Sequence, residues 1–343
     1  MRQSKFAAVT ASVLAGGLLL AACGDDSGDE TTGGGGGGGE TGGTGTETEV
    51  QTIGDVDTAS CDPTAAAAPV PDPEGTGEDE TEITIGVFTG WDEGYVVSHL
   101  AKLALEDMGY SVTLQQQDAG VTYTGVAQGN LDVLMDGWLP NTHASYVEEF
   151  GDQLEDVGCW FDQGFLTTAV NADSPAQSLA ELDQHKEAYG GRIVGIDPGA
   201  GLTKTTKEEV IPTYGLEDWD YPTSSSGAML AELDKAMKEG NNIAVSLWHP
   251  HWAYAAYDIR DLKDPEGALG EAERLYNLGR PGFHEDFPNA AQLLKNLHLT
   301  DKQLLEIEDI MVVQNDRENK GQSVQTWLDK NPDFLEQWKA GEL

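Results

Sequence analysis

Three tryptophans stand where runs of strand-forming residues end. Gly90-Trp91 follows the run from Glu82 to Phe88, Gly137-Trp138 follows Leu131 to Asp136, and Trp248 follows Asn242 to Leu247. Tryptophan is more often core than site, so each one alone has a packing explanation. Three at one rim are harder to assign to packing, because a rim is where the core runs out. An indole face attracts a cation by about 0.5–2 kcal/mol, more when the cation is desolvated. A cage of such faces suits a cation without N–H groups, which hydrogen bonds cannot recognise. The stretch Gly195-Ile196-Asp197-Pro198-Gly199-Ala200-Gly201 follows a fourth apolar run and opens a helical pattern. Free backbone N–H groups there would take an anion such as a carboxylate, although an ordinary strand-to-helix turn reads the same way. The stretch has no Gly-Lys-Ser/Thr and no acid at dinucleotide spacing, so it is not a nucleotide loop.

Two other groupings invite chemistry and fail on spacing. In His249-Pro250-His251 the histidines do not have helical i, i+4 spacing, and no nearby Cys or acid completes a set, so no metal is expected. Ser224-Ser225-Ser226-Gly227 is not Gly-x-Ser-x-Gly, and hydroxyls before a helix usually cap it. A secreted hydrolase using Ser225 is therefore the remote alternative to a binding protein; no catalysis and no cofactor are expected. Nineteen Lys and Arg against 60 Asp and Glu give a net charge of −41, which argues against nucleic acid, since phosphate binding needs cations.

Alternation and helical spacing set out the elements that must carry these residues. Strands are predicted over 82–88, 110–116, 131–136, 192–196 and 242–247; helices over 93–108, 121–128, 202–210 and 226–238, the last with Ser226 as N-cap. From about Pro288 the chain reads as helical, and Thr300 with Gln303 forms a capping-box pattern before Leu304–Val313. Strand–helix alternation predicts mostly parallel sheet in two α/β halves, with ligand bound outside the carboxyl ends of the strands.

The first 22 residues read as a cleaved signal peptide: Arg2 and Lys5, an apolar run, then Leu20-Ala21-Ala22-Cys23. Cys23 in that setting resembles the lipidated cysteine of a bacterial lipobox, which implies an extracytoplasmic protein anchored to the outer face of the cell membrane by acyl chains. Residues 23–81 contain no Lys or Arg and include the run Gly33–Gly39, so they read as a flexible acidic tether with a reach of about 40–50 Å. With Cys23 lipidated, Cys61 and Cys159 remain as the pair for one disulfide, with two free thiols as the other reading.

Gly-Trp-Asp at 90–92, Gly-Trp-Leu-Pro-Asn-Thr-His at 137–143, Gly-Ile-Asp-Pro-Gly at 195–199, Ser-Ser-Ser-Gly-Ala-Met at 224–229 and Trp-His-Pro-His-Trp at 248–252 resemble the glycine betaine-binding proteins of osmoprotectant ABC importers, the OpuAC/ProX type. The resemblance extends over about residues 83–340. It implies a type II periplasmic-binding-protein fold, a two-lobed Venus-flytrap clamp with a helical C-terminal tail: lobe I over 82–180, lobe II over 181–270, and a return to lobe I with the C-terminal helices over 271–343. It implies Trp91, Trp138 and Trp248 as the cage of a trimethylammonium group. The backbone N–H groups of Gly195 and Ile196 and the side chain of His143 become the clamp of its carboxylate. Glycine betaine or a similar betaine is then the ligand, a membrane permease the partner, and the chain a monomer. Choline or carnitine binding, and ligand sensing without transport, are the alternatives. His249 departs from the family pattern and is expected to face solvent; Asp197 is expected to be a charge at the start of its own helix.

Overall fold

Ile83, Ile85 and Val87 of strand β1 (Glu82–Phe88) point into the core, as their alternation predicts. Helix α1 (Asp92–Asp107) leads from β1 to β2 (Ser111–Gln117), and α2 (Ala119–Ala127) leads on to β3 (Val133–Leu139). Both β2 and β3 pair with β1 in parallel, the arrangement that helical crossovers impose. The computed structural model describes residues 50–65, 67–72 and 81–343. The expected signal peptide, Cys23 and the tether up to residue 49 lie outside the described residues.

Beyond β3 the sheet is mixed rather than mostly parallel. A 17-residue strand, β4 (Glu155–Asn171), follows helix α3 (Ala144–Phe150) and pairs antiparallel with β5 (Ala244–His249), β6 (Ile259–Asp261) and β7 (Glu273–Gly279). The strand order is β2-β1-β3-β7-β4-β5, with β6 also on β4. Strand β4 meets β7 along its first half and β5 and β6 along its second, so it joins two regions of sheet. Its pairing with β7 shifts register at Asp156/Cys159, Cys159/Phe161 and Phe161/Gly164. Those irregularities, with Gly158 and Gly164 inside the strand, explain why simple alternation did not reveal it.

Residues 192–196 were expected to be a strand, but they form isolated bridges, Arg192 with Asp220 and Val194 with Val245. The N–H of Gly195 donates to the carbonyl of Pro222 at 2.9 Å, and proline has no N–H to return. From there the chain enters α4 (Gly201–Thr205), a π-helical stretch over Thr206–Val210 and α5 (Ile211–Thr213). Helix α6 (Ser226–Glu239) is capped by Ser225, one residue before the expected Ser226.

A short helix, α7 (Ala253–Ala256), follows β5, and the C-terminal part packs as α8 (Phe283–Asp286), α9 (Pro288–Lys295), α10 (Asp301–Glu308), α11 (Lys320–Lys330) and α12 (Phe334–Ala340). The capping box at Thr300 and Gln303 is formed. Between α10 and α11, Asp316, Arg317 and Asn319 all take positive φ without being glycine.

The tether does not run free to residue 81. Ile53 and Val70 are buried against the body. Ile53 N–H donates to Leu154 at 2.8 Å, Val70 N–H to Lys339 at 2.9 Å, and the Asn296 side chain bonds both N–H and C=O of Ala68. Composition hid these contacts because two apolar side chains and an external amide suffice to dock an otherwise polar stretch. Cys61 and Cys159 are disulfide-bonded across a sequence separation of 98 residues. Closing a loop of about 100 residues lowers unfolded-state entropy by as much as about 4.7 kcal/mol in the chain-entropy model, and measured values run lower. Replacing both cysteines by alanine is therefore expected to cost about 2–4 kcal/mol in a denaturant melt; an unchanged midpoint would show that the docked segment holds without the bond.

Candidate functional site

The three tryptophans meet. Trp91 sits at the N-cap of α1, Trp138 is the penultimate residue of β3, and Trp248 is the penultimate residue of β5. With Ile196, Leu166 and Leu202 they line a small cavity of about 20 Å³, to which Glu93 and Thr142 are the polar contributors. The rings of Trp91 and Trp248 lie 6.5 Å apart with planes at 58°. No lysine or arginine stands among the residues that line the cavity.

Each indole is fixed from behind. Trp138 donates its ring N–H to Asp136 at 2.9 Å, two residues back on the same strand face. Gly164 of β4 makes room for this ring: a Cβ there would lie 2.9 Å from it. Trp91 is edge-on to Phe88 at 4.9 Å and stacks on His143 at 5.6 Å, and Trp248 is edge-on to His251 at 4.7 Å. The ring N–H groups of Trp91 and Trp248 are buried and have no partner among the described residues.

His143 is fully buried behind Trp91 rather than on the cavity wall. Its Nδ1 accepts the backbone N–H of Trp138 at 2.9 Å, which places the ring proton on Nε2. That Nε2 has no partner among the described residues. Burial pushes the imidazole down to about 3, so the ring is a neutral N–H donor at physiological pH. His143 occupies the N-cap position of α3, and the turn before it is anchored by Glu273. That carboxylate accepts the N–H groups of Asn141 and Thr142, at 2.7 and 2.8 Å, and the Thr142 hydroxyl.

Of the two expected backbone donors, Gly195 is already engaged and Ile196 is not. Gly195 N–H is taken by Pro222, because Tyr221 and Pro222 run alongside as an extended neighbour. Ile196 lines the cavity, and its N–H makes no hydrogen bond among the described residues. The spacing of the Gly195–Gly201 turn could not distinguish these two donors, since the difference lies in a neighbour far along the chain.

Two further expectations change. His249 is not simply solvent-facing: it stacks between Phe165 and Tyr254, at 4.5 and 3.9 Å, and pairs with Asp261 at 2.9 Å. Asp197 serves a different helix from its own, accepting the N–H and hydroxyl of Ser226 at the start of α6. Sequence reasoning passed over Glu93, whose place two residues after Trp91 was its one signal, because acids in a first helical turn usually answer the helix dipole. It also passed over Arg317, which pairs with buried Asp92 at 2.7 Å and lies over the ring of Trp252 at 5.1 Å.

A curled mixed sheet flanked by helices, with an aromatic cavity against its strand ends, is the type II periplasmic-binding-protein fold. Residues 81–330 match the family described as the substrate binding domain of ABC-type glycine betaine transport systems, and the chain belongs to that family, a substrate-binding and not a catalytic one. Among relatives, it is 36% identical over 187 residues to a glycine betaine/carnitine transport binding protein, GbuC, of Listeria monocytogenes. That match covers 51% of this chain and 61% of the relative's length. Among solved structures, lactococcal OpuAC, closed on glycine betaine, superposes with a TM-score of 0.70 at 25% identity, covering 76% of this chain and 99% of that one. The ProX protein of Borrelia burgdorferi gives 0.70 at 26%, over 76% and 100%. A choline binding protein in complex with choline gives 0.69 at 25%, over 76% and 92%.

The neutrality of His143 is directly measurable. Nitrogen-15 spectra are expected to show an Nε2–H tautomer that does not titrate between pH 8 and pH 5. A midpoint near 6.5 would place the ring in solvent. Because the folded value lies below the unfolded one, the folding stability that His143 contributes is present above about pH 6.5 and declines as pH falls from there toward 3.

Proposed function

We propose that the chain is the extracytoplasmic substrate-binding component of an ABC importer and that it captures glycine betaine or a related quaternary-ammonium carboxylate. The observation that carries this reading is the convergence of Trp91, Trp138 and Trp248 on one small cavity without a cationic side chain. Indole faces hold a methylated ammonium that offers no N–H, and the closed apolar wall removes its water. The carboxylate lies toward Ile196 N–H, which is without a partner among the described residues, while His143 stands behind Trp91 and backs that ring. Gly195 is left out of this clamp, its N–H being engaged by Pro222. Family membership and the relatives solved with glycine betaine and choline support the ligand class.

The cage draws on separate parts of the chain, and this supports a clamp of two lobes, 82–180 and 181–270, with 271–343 returning to the first. Contacts between them are those of a closed clamp. Tyr146 donates to the carbonyl of Gly199 at 3.1 Å, and the ring N–H of Trp252 to Asp92 at 2.7 Å. Gly201 approaches the Thr142 carbonyl so closely that a Cβ would lie 2.0 Å from its oxygen. A ligand that touches both lobes favours this form over an open one by its differential affinity. In this reading residues 1–22 are removed, Cys23 carries the lipid anchor on the outer face of the cell membrane, and the closed monomer docks on a membrane permease.

Choline is the second reading, favoured by the choline-binding relative at similar identity. Calorimetry with glycine betaine, carnitine and choline separates the two, since choline has no carboxylate for Ile196. Betaine is expected to bind more tightly than choline, and Trp138→Ala to weaken betaine at least about tenfold. Equal affinity for choline would remove the carboxylate clamp. Gly201→Ala is expected to leave the circular dichroism unchanged and to weaken betaine by about tenfold or more through obstructed closure, visible as a larger radius of gyration with ligand present.

A further inference from the structure

One wall residue is not explained by a cage and a carboxylate clamp. Glu93 lines the cavity beside the indoles, is 1% exposed, and its Oε2 has no hydrogen-bond partner among the described residues. Every charged group that acts on it is an acid: Asp136 from β3, Glu308 from α10 and Asp92 from its own helix. Arg317, the cation that acts on Glu308, is engaged by Asp92 in a paired hydrogen bond of 3.0 and 2.7 Å. Asp136 presses its Oδ2 against the α1 backbone at Gly94, and that oxygen too is buried and unpartnered. Burial first, then Asp136 and Glu308, holds the Glu93 carboxyl well above the usual range. Burial does the same to Asp136, and burial with Asp92 to Glu308.

A buried carboxyl among acids, on the wall of a space shaped for a cation, lacks one thing: the positive charge. A cation within about 4–6 Å lowers a carboxyl by roughly one to three pH units. We propose that Glu93 is the charge-selecting residue of the cavity, losing its proton to solvent when a quaternary ammonium enters among the indoles, so that cation binding and proton release are one linked event. The balance is simple: neutral Glu93 and a free cation become a carboxylate in contact with a bound cation, plus one proton taken up by buffer. Asp136 keeps the hydrogen bond it accepts from the Trp138 ring N–H, and Glu308 stays neutral, because a second ionisation beside the first is disfavoured. A solute of the same shape that lacks the cation gains the indole contacts without the ionised partner. This inference rests on the quaternary-ammonium reading of the cavity.

The test uses the full chain and two ligands of one shape: glycine betaine and its carbon isostere 3,3-dimethylbutanoate, which has the carboxylate and no cation. Calorimetry in buffers of different ionisation enthalpy counts protons. Betaine is expected to release between about half and one proton near pH 7, and its affinity to rise with pH by up to about tenfold per unit until Glu93 is ionised in the free protein. The isostere is expected to release none. Glu93→Gln is expected to abolish proton release with betaine and to weaken it about tenfold or more, while leaving the weak binding of the isostere unchanged. Betaine binding to the wild-type chain without proton release overturns the inference alone, and that measurement needs no variant to fold. A wild-type chain that binds no quaternary ammonium at any pH overturns the functional reading with it.

Discussion

A methylated ammonium cannot be held by hydrogen bonds, so the proposed site depends on aromatic faces that have lost their water. A face holds a cation well only when solvent is absent, and solvent leaves only when several faces close on the same point. That requirement runs through the molecule. The proposed cage takes Trp91 from a helix start and Trp138 and Trp248 from near strand ends, with a second set of side chains behind each ring to stop it turning. Asp136 holds one indole by its N–H, His143 backs another, and His251 stands edge-on to the third.

Removing water also raises the cost of every polar group nearby, and the interior around the cage reflects this. His143 is neutral because a buried imidazolium would be uncompensated, and its tautomer follows from the Trp138 N–H that points at it. Glu93, Asp136 and Glu308 resist ionisation for the same reason with the opposite sign. Asp92, beside them, has Arg317 and the Trp252 ring N–H as partners. Arg317 is brought there by a loop with three non-glycine residues at positive φ. Such conformations persist only where surrounding contacts over-determine them, and here a bidentate ion pair and an aromatic face do so.

The sheet serves the same end. Strand β4 is long enough to pair with β7 at one end and with β5 and β6 at the other, which sets Trp138 on β3 and Trp248 on β5 around one cavity. The disulfide fastens the segment around Cys61 to that strand at Cys159.

Much of this was legible in the residues themselves. Local alternation marks β1, β2 and β3, periodicity marks α1 and α6, and the capping box at Thr300 marks the start of α10, because each signal lies within one turn or one pleat of chain. The tryptophans, the Gly195–Gly201 turn and the short motifs around them were likewise local, and they sufficed for the family. What tertiary structure alone decided was long-range. The partner of a backbone N–H is one such matter: Pro222 takes Gly195 and leaves Ile196, though the two are adjacent in sequence. The docking of Ile53 and Val70 depends on surfaces some hundred residues or more away. The state of Glu93 depends on acids from β3 and α10 that no spacing along the chain brings near it. Composition and period determine which residues can be buried; burial beside particular neighbours determines which of them are charged, bonded or free to meet a ligand.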